Sequence, residues 1–249
     1  MSRAAALLDA ARRVLFVHAH PDDETLASGG LIADLVDRGA VVAVLTASRG
    51  EQGEVVPGSL PAGIDLEAHR EAEVAGACRV LGVAHHAFLG QPPARAAGRP
   101  SRHYTDSGMR WCDAAETLAG PGENAGADAL SLADPAEVAA DIAAYARAVG
   151  ADLVISYDDA GGYGHPDHVA LAAPSRAAAS ELGVPFLEIA TDPDSAGHTV
   201  ETHHQLERVA EALRHHRTQL VVEGDQVVHV GGQRQAIQLV FTLREPGAS

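Results

Sequence analysis

Residues 14–24 read VLFVHAHPDDE. The run 14–20 is nearly all apolar, the pattern of a strand buried on both faces. It ends in a turn that gathers two histidines, two aspartates and a glutamate around Pro21. An apolar strand that stops at a cluster of titratable groups is the first element of an alternating pattern. A helix is predicted over 24–38, with Leu26, Leu31, Leu35 and Val36 at helical spacing, and VVAVLTAS (41–48) is a second buried strand.

The alternation continues. Helical spacing covers 66–81, and AHHAFLG (84–90) reads as a short strand. Residues 91–133 are irregular and rich in Gly, Pro and Ala, too long for a passive connection. Asp134-Pro135-Ala136-Glu137 then gives an N-cap, a proline at the first helical position and an early acid, opening a helix to Val149. Strands are predicted over 151–158 and 184–190, helices over 168–182 and 200–217, and two short strands over 226–230 and 236–243. Strand–helix alternation implies parallel strands with right-handed crossovers, hence a doubly wound, mostly parallel α/β sandwich in three layers. No repeat or linker divides the chain, so residues 1–249 are expected to form a single domain.

Composition narrows the function classes. The chain has 249 residues and a net charge of -16, from 18 basic and 34 acidic side chains. Nucleic-acid and anionic-membrane surfaces rest on clustered Lys and Arg, so neither partner is expected. No apolar run approaches the roughly 20 residues of a membrane span, and the N-terminus lacks a signal-peptide pattern. A cytoplasmic setting is the expectation. Cys78 and Cys112 form no C-x-x-C pair, so any metal would be held by His and carboxylate.

In open α/β sheets ligands bind beyond the carboxyl ends of the strands. Two histidine-rich loops lie at such ends: HAHPDDE (18–24) and GGYGHPDH (161–168). The first has no G-x-G-x-x-G, and its acidic turn would repel a pyrophosphate. His20 and Asp23, three apart, can converge on one ion with N and O donors that suit Zn²⁺. Asp22 would then point elsewhere, where a general base for a metal-activated water belongs. Alone the stretch reads equally well as a turn with a helix cap. The second loop offers His165 and His168. One of them would complete a His/Asp/His set with the open position of a catalytic site. The other, with Tyr163, could donate to a developing oxyanion.

The chain resembles the PIG-L/LmbE-like metal-dependent deacetylases, and within them the actinobacterial mycothiol-pathway branch. The resemblance is carried by HAHPDDE (18–24), SRGEQGEV (48–55), HREAE (69–73), DSGM (106–109), GGYGHPDH (161–168) and HRTQL (216–220). It implies a Rossmann-like, LmbE-like domain holding one Zn²⁺ on His20, Asp23 and His168, with Fe²⁺ also compatible. It implies Asp22 as general base, Tyr163 and His165 at the oxyanion, His165 as candidate acid for the leaving amine, and Asp167 orienting His165. Arg70 and Asp106 match positions that hold sugar or inositol hydroxyls, and Glu54 is a weaker candidate for the same pocket. The implied activity is removal of an N-acetyl or other N-acyl group from an N-acetylglucosamine-type small-molecule conjugate. An amidase for mycothiol S-conjugates, a tailoring deacetylase for an aminosugar natural product and a non-catalytic metal- or sugar-binding module are the alternatives. A homo-oligomer is compatible with the sequence. Two stretches depart from the family, a short 191–199 segment and a short C-terminal tail. Both bear on the outer wall of the site.

Other features read as structural. The pairs His85-His86, His203-His204 and His215-His216 point to different faces and rarely share an ion. His18 shares a strand face with His20 and is expected behind the ligands. Glu24 is read as the start of the helix, Cys78 as core, and Tyr104 and Trp111 as packing around DSGM or against a sugar face.

Overall fold

The computed structural model describes residues 2–113 and 118–247. In chain order the first elements are α1 (Arg3–Ala10), β1 (Arg13–His18), α2 (Asp23–Leu26), α3 (Gly29–Asp37), β2 (Val41–Thr46), α4 (Leu66–Leu81) and β3 (His85–Phe88). Two-residue strands β4 (Arg110–Trp111) and β5 (Ala119–Gly120) follow, then α5 (Pro135–Val149), β6 (Leu153–Tyr157), α6 (Pro166–Leu182) and β7 (Phe186–Ile189). The C-terminal part contains β8 (His198–Glu201), α7 (Leu206–Leu213), β9 (Leu220–Glu223), β10 (Gln226–His229), β11 (Arg234–Ala236) and β12 (Val240–Arg244).

The central sheet has the order β3-β2-β1-β6-β7-β12-β8. The first five strands are parallel, and β12 runs antiparallel to both β7 and β8. From β1 the chain winds outward through β2 and β3, then returns to β6 on the other side. The order therefore reverses between β1 and β6, the place where doubly wound sheets open a crevice. The loops that follow these two strands are the two histidine-rich loops.

Alternation along β1 separates the two helical layers. Val14 and Phe16 join Leu31, Leu35, Val74 and Leu81 on one face. Leu15 and Val17 join Ile142, Tyr145, Leu171 and Ala178 on the other. Burial on both faces explains the uninterrupted apolar run and holds the strand ends in place. The cap expected before α5 is present: Asp134 accepts from the Ala136 N–H at 3.0 Å, and Gly150 ends the helix with φ 65°.

Three expectations change. The single helix over 24–38 is broken at Ser28, whose hydroxyl donates to the Glu24 carbonyl at 3.0 Å and meets His18 Nε2 at 2.9 Å. The helix over 200–217 is shorter. Residues His198–Glu201 instead form an edge strand on β12, and Thr202 bonds the Leu239 carbonyl through both its N–H and its hydroxyl. The tail contributes β12 to the main sheet, while β9, β10 and β11 make a separate meander over α7.

Candidate metal centre

The turn between β1 and α2 is strained at one residue. Asp22 has φ 97°, the one positive φ at a non-glycine among the described residues, and such strain clusters at functional sites. Its carbonyl accepts from the Thr25 and Leu26 N–H groups at 2.9 and 2.8 Å, and its N–H donates to Glu24 at 3.1 Å. The backbone is thus fully engaged while the carboxylate makes no protein hydrogen bond among the described residues. That carboxylate lines a cavity of about 650 Å³.

Asp23 turns the other way. Its Oδ2 accepts from the His20 N–H at 2.9 Å and from the Tyr157 hydroxyl at 2.9 Å. The same oxygen stands 3.3 Å from His20 Nδ1 and 3.1 Å from His168 Nε2, and the two nitrogens are 3.3 Å apart. Donors bound to one tetrahedral ion at about 2.0–2.1 Å stand about 3.3–3.4 Å from each other. The triangle has that size.

The tautomers agree with it. His20 Nε2 faces Asp167 Oδ2 at 3.1 Å, and a carboxylate only accepts, so the ring proton sits on Nε2. His168 Nδ1 faces the Gly161 carbonyl at 3.2 Å and is likewise the donor. Both remaining nitrogens therefore present lone pairs to each other and to a carboxylate oxygen. Three acceptors at this separation require a cation or proton between them, so the donor set fits a divalent metal. Burial opposes charge on these groups. The surrounding carboxylates nonetheless hold His20 well above the usual imidazole range, and His168 and His20 hold Asp23 well below the usual carboxylate range. Burial, then Asp23, push Asp22 up to about 8; a neighbouring dication opposes that shift.

His165 caps α6, its Nδ1 accepting the Asp167 N–H at 3.2 Å. The ring proton is then on Nε2. Burial and the nearby His20 lower His165 to about 4, which keeps it a neutral donor. His20, His165 and His168 also converge within 4.8 Å of one another. The smaller triangle includes Asp23, whose charge makes it the stronger cation set. Tyr163 is exposed, its ring 5.9 Å from that of His165 and 5.1 Å from that of His168. Glu51, Glu67 and His103 form another, more exposed donor convergence beside the Asp106 loop.

Several residues do something other than expected. Asp167 does not orient His165 through its carboxylate. That group accepts from His20, from Ser107 N at 2.9 Å, from the Ser107 hydroxyl and from Ser131 N at 3.1 Å. Its partner is the His20 ring, because the 91–133 loop brings Ser107 and Ser131 over the start of α6. Arg70 is buried and spent on the 50–54 loop, bonding the carbonyls of Gly50, Gly53 and Glu54 and the Thr218 hydroxyl. Asp106 accepts from Gly108 N at 2.7 Å and from Gln52 N at 3.3 Å, and lies 3.6 Å from His20 Nε2. The Glu54 side chain is exposed. Arg70, Asp106 and Glu54 all lie outside the lining of the cavity. Glu24 does more than start a helix. It is buried and paired with buried His216 at 2.8 Å. Tyr104 is wholly buried with its hydroxyl on Asp141 at 2.9 Å, so it faces no sugar, whereas Trp111 is exposed.

Tyr157 escapes sequence reasoning. Its hydroxyl accepts from Ala19 N at 3.0 Å and donates to Asp23, while its ring stacks on His168 at 4.3 Å between centroids. A tyrosine ending an apolar strand reads as core. Its one available signal is its position at the carboxyl end of a strand beside the switch point.

A doubly wound α/β sheet with a His/Asp donor cluster at its switch point defines a Rossmann-like protein built around a metal site. The chain belongs to the PIG-L family, whose model, described as GlcNAc-PI de-N-acetylase, matches residues 15–179. It is 46% identical over 165 residues to a 1D-myo-inositol 2-acetamido-2-deoxy-alpha-D-glucopyranoside deacetylase of Kineococcus radiotolerans, covering 65% of this chain and 43% of that one. It is 37% identical over 218 residues to the enzyme of the same name from Thermobispora bispora, covering 82% of this chain and 64% of that one. The chain thus spans about half the length of such relatives. N,N'-diacetylchitobiose deacetylase from Pyrococcus horikoshii shares the fold with a TM-score of 0.60 at 19% identity, over 86% of this chain and 73% of that one. The zinc-inhibited form of teicoplanin deacetylase Orf2 does so with 0.58 at 18%, over 95% and 100%.

Proposed function

We propose that the protein is a metal-dependent amidohydrolase that removes an N-acetyl group from an N-acetylglucosamine-type conjugate, releasing acetate and a free amine. The observation that carries this reading is the triangle of His20 Nδ1, Asp23 Oδ2 and His168 Nε2, with the unpaired Asp22 carboxylate beside it on the cavity. The deacetylase names of the family and its relatives supply the substrate class. Zn²⁺, one per chain, is the proposed ion, and Fe²⁺ suits the same two imidazoles and carboxylate.

A divalent ion bound here supplies Lewis acidity toward the amide carbonyl and lowers the pKa of water. The chain's own residues do the rest. Asp22 accepts the proton of the attacking water, since its carboxylate has no other partner. His165 Nε2–H and the Tyr163 hydroxyl donate to the oxygen that gains charge as the carbonyl becomes tetrahedral. Return of the proton that Asp22 took from the water to the amine nitrogen completes the cleavage, while neutral His165 keeps its Nε2–H on the oxyanion. Arg70 and Asp106 act here by fixing the 50–54 and 106–108 loops.

Asp22→Asn keeps the shape and removes the base. It is expected to retain metal and to lose about 10²–10⁴-fold in acetate release from N-acetylglucosaminides. Near wild-type turnover by a metal-loaded Asp22→Asn protein would refute the mechanism.

A further inference from the structure

The cavity beside the donor triangle is lined in part by the C-terminal meander. Its floor carries Asp22 and His168, and its far wall is made of His229, Gln233, Gln235 and Gln238. The family match ends at residue 179, so nothing in it assigns this wall.

Pairing shows how the wall arises. Directly opposed residues of an antiparallel pair share a face, and Val227 stands opposite both Val222 and Gln235. Alternation puts His229 and Gln233 on the same face, joined by a His229 N–H to Gln233 carbonyl bond of 2.9 Å. Leu220, Val222 and Val227 on that face pack with Val209 and Leu213 of α7. The core-facing side of a sheet should continue apolar. Here it turns polar at the mouth of the cavity, where Gln233 and Gln235 are exposed and His229 and Gln238 are half-buried.

The chemistry of the wall is specific. His229 Nε2 lies 3.0 Å from Gln235 Oε1, which can only accept, so the imidazole donates. The Gln235 NH₂ and His229 Nδ1 are left for a ligand. Gln238 gives one N–H to the Val240 carbonyl at 3.4 Å and keeps its carbonyl oxygen. The lining contains no Lys or Arg, so a phosphate finds no cation there. The apolar side chains of the lining, Leu26, Ala27, Ile189 and Ala190 with the Tyr157 and Tyr163 rings, belong to the segments around the donor triangle, whereas the far wall is His and Gln. Amides that donate and accept side by side match hydroxyl groups, which do both.

We infer that this wall is the specificity surface of the site, with Gln235 at its centre holding an uncharged, hydroxyl-rich group carried by the substrate beyond the scissile amide. The amidohydrolase reading places the amide, and the cavity places the group.

The test uses the Zn²⁺-loaded full chain and its Gln235→Leu and Gln238→Leu variants, on separate segments so that one misfolding variant leaves the other. Acetate release is compared between N-acetylglucosamine and 1D-myo-inositol 2-acetamido-2-deoxy-α-D-glucopyranoside. The ratio of kcat/KM favouring the glycoside should fall about fivefold per hydrogen bond lost, through KM. An unchanged ratio in folded variants overturns the inference. If the wild type hydrolyses neither compound, the amidohydrolase reading fails separately, and calorimetric binding of the glycoside decides the wall. Weaker binding by Gln235→Leu then upholds it. Equal binding, no binding by wild type, or tighter binding of a phosphorylated glycoside overturns it.

Discussion

Two side chains and a backbone carbonyl hold the geometry of the proposed metal centre without belonging to its triangle. Tyr157 fixes Asp23, Asp167 fixes His20, and the Gly161 carbonyl fixes His168. Groups that orient metal ligands typically contribute about 10–100-fold in metal affinity. Tyr157→Phe keeps the stacking on His168 and removes only the hydroxyl. Competition against a chromophoric chelator should show Zn²⁺ affinity lowered within that range, with thermal stability changed little. Asp167→Asn should behave similarly through His20. Wild-type affinity in both would mean that the triangle does not hold the ion. His20, Asp23 and Asp22 are legible in the sequence only beside the second histidine-rich loop, GGYGHPDH (161–168), since alone their turn reads equally well as a helix cap. Tyr157 and Ser107 are not, since each looks ordinary until the fold sets it against a ligand or its partner.

At the level of elements, the sequence marks what is periodic or capped. β1, β2, β6 and α5 are written in apolar runs and in Asp134-Pro135. The edge strand at 198–201 is not, because its identity depends on pairing with β12, forty residues later in the chain. The long 91–133 segment is also shaped by distant contacts. Asp141 on α5, wholly buried, accepts from Arg95 at 2.7 Å, Ala96 N at 2.7 Å and Tyr104 at 2.9 Å. Asp141→Ala leaves the Arg95 guanidinium with the Pro100 carbonyl and with Glu137, which Arg99 and Arg102 also use, and strips the loop of its anchor. Breaking a buried ionic network from one side costs about 3–5 kcal/mol, so chemical denaturation should show a loss of that size. Amide exchange should also quicken at 94–107 ahead of the rest. A loss below 1 kcal/mol would remove Asp141 from that role.

Across the whole molecule, the sheet order decides where chemistry sits. Reversal between β1 and β6 brings together two loops more than 130 residues apart, as the 147-residue separation of His20 and Asp167 illustrates. Stability against pH offers an independent check on the sheet. His86, on β3 beside the Thr46 hydroxyl at 3.0 Å, is lowered to about 4 by burial, with Arg49 adding to the effect and Glu24 and Glu71 opposing it. The unfolded chain takes up a proton near pH 6.5 and the folded chain only near 4. The stability associated with neutral His86 is therefore full above pH 6.5 and is lost as pH falls toward 4, by up to about 3 kcal/mol. His86→Gln, which can still bond Thr46, should flatten the melting temperature across that window; an unchanged slope would mean that His86 is not held neutral.

The central claim is that His20, Asp23 and His168 together hold one divalent ion at the switch point. Anomalous diffraction at the zinc edge from Zn²⁺-loaded crystals tests it directly. The account predicts a single strong peak about 2.0–2.2 Å from His20 Nδ1, Asp23 Oδ2 and His168 Nε2. A peak at Glu51, Glu67 and His103 with none at the triangle would contradict it.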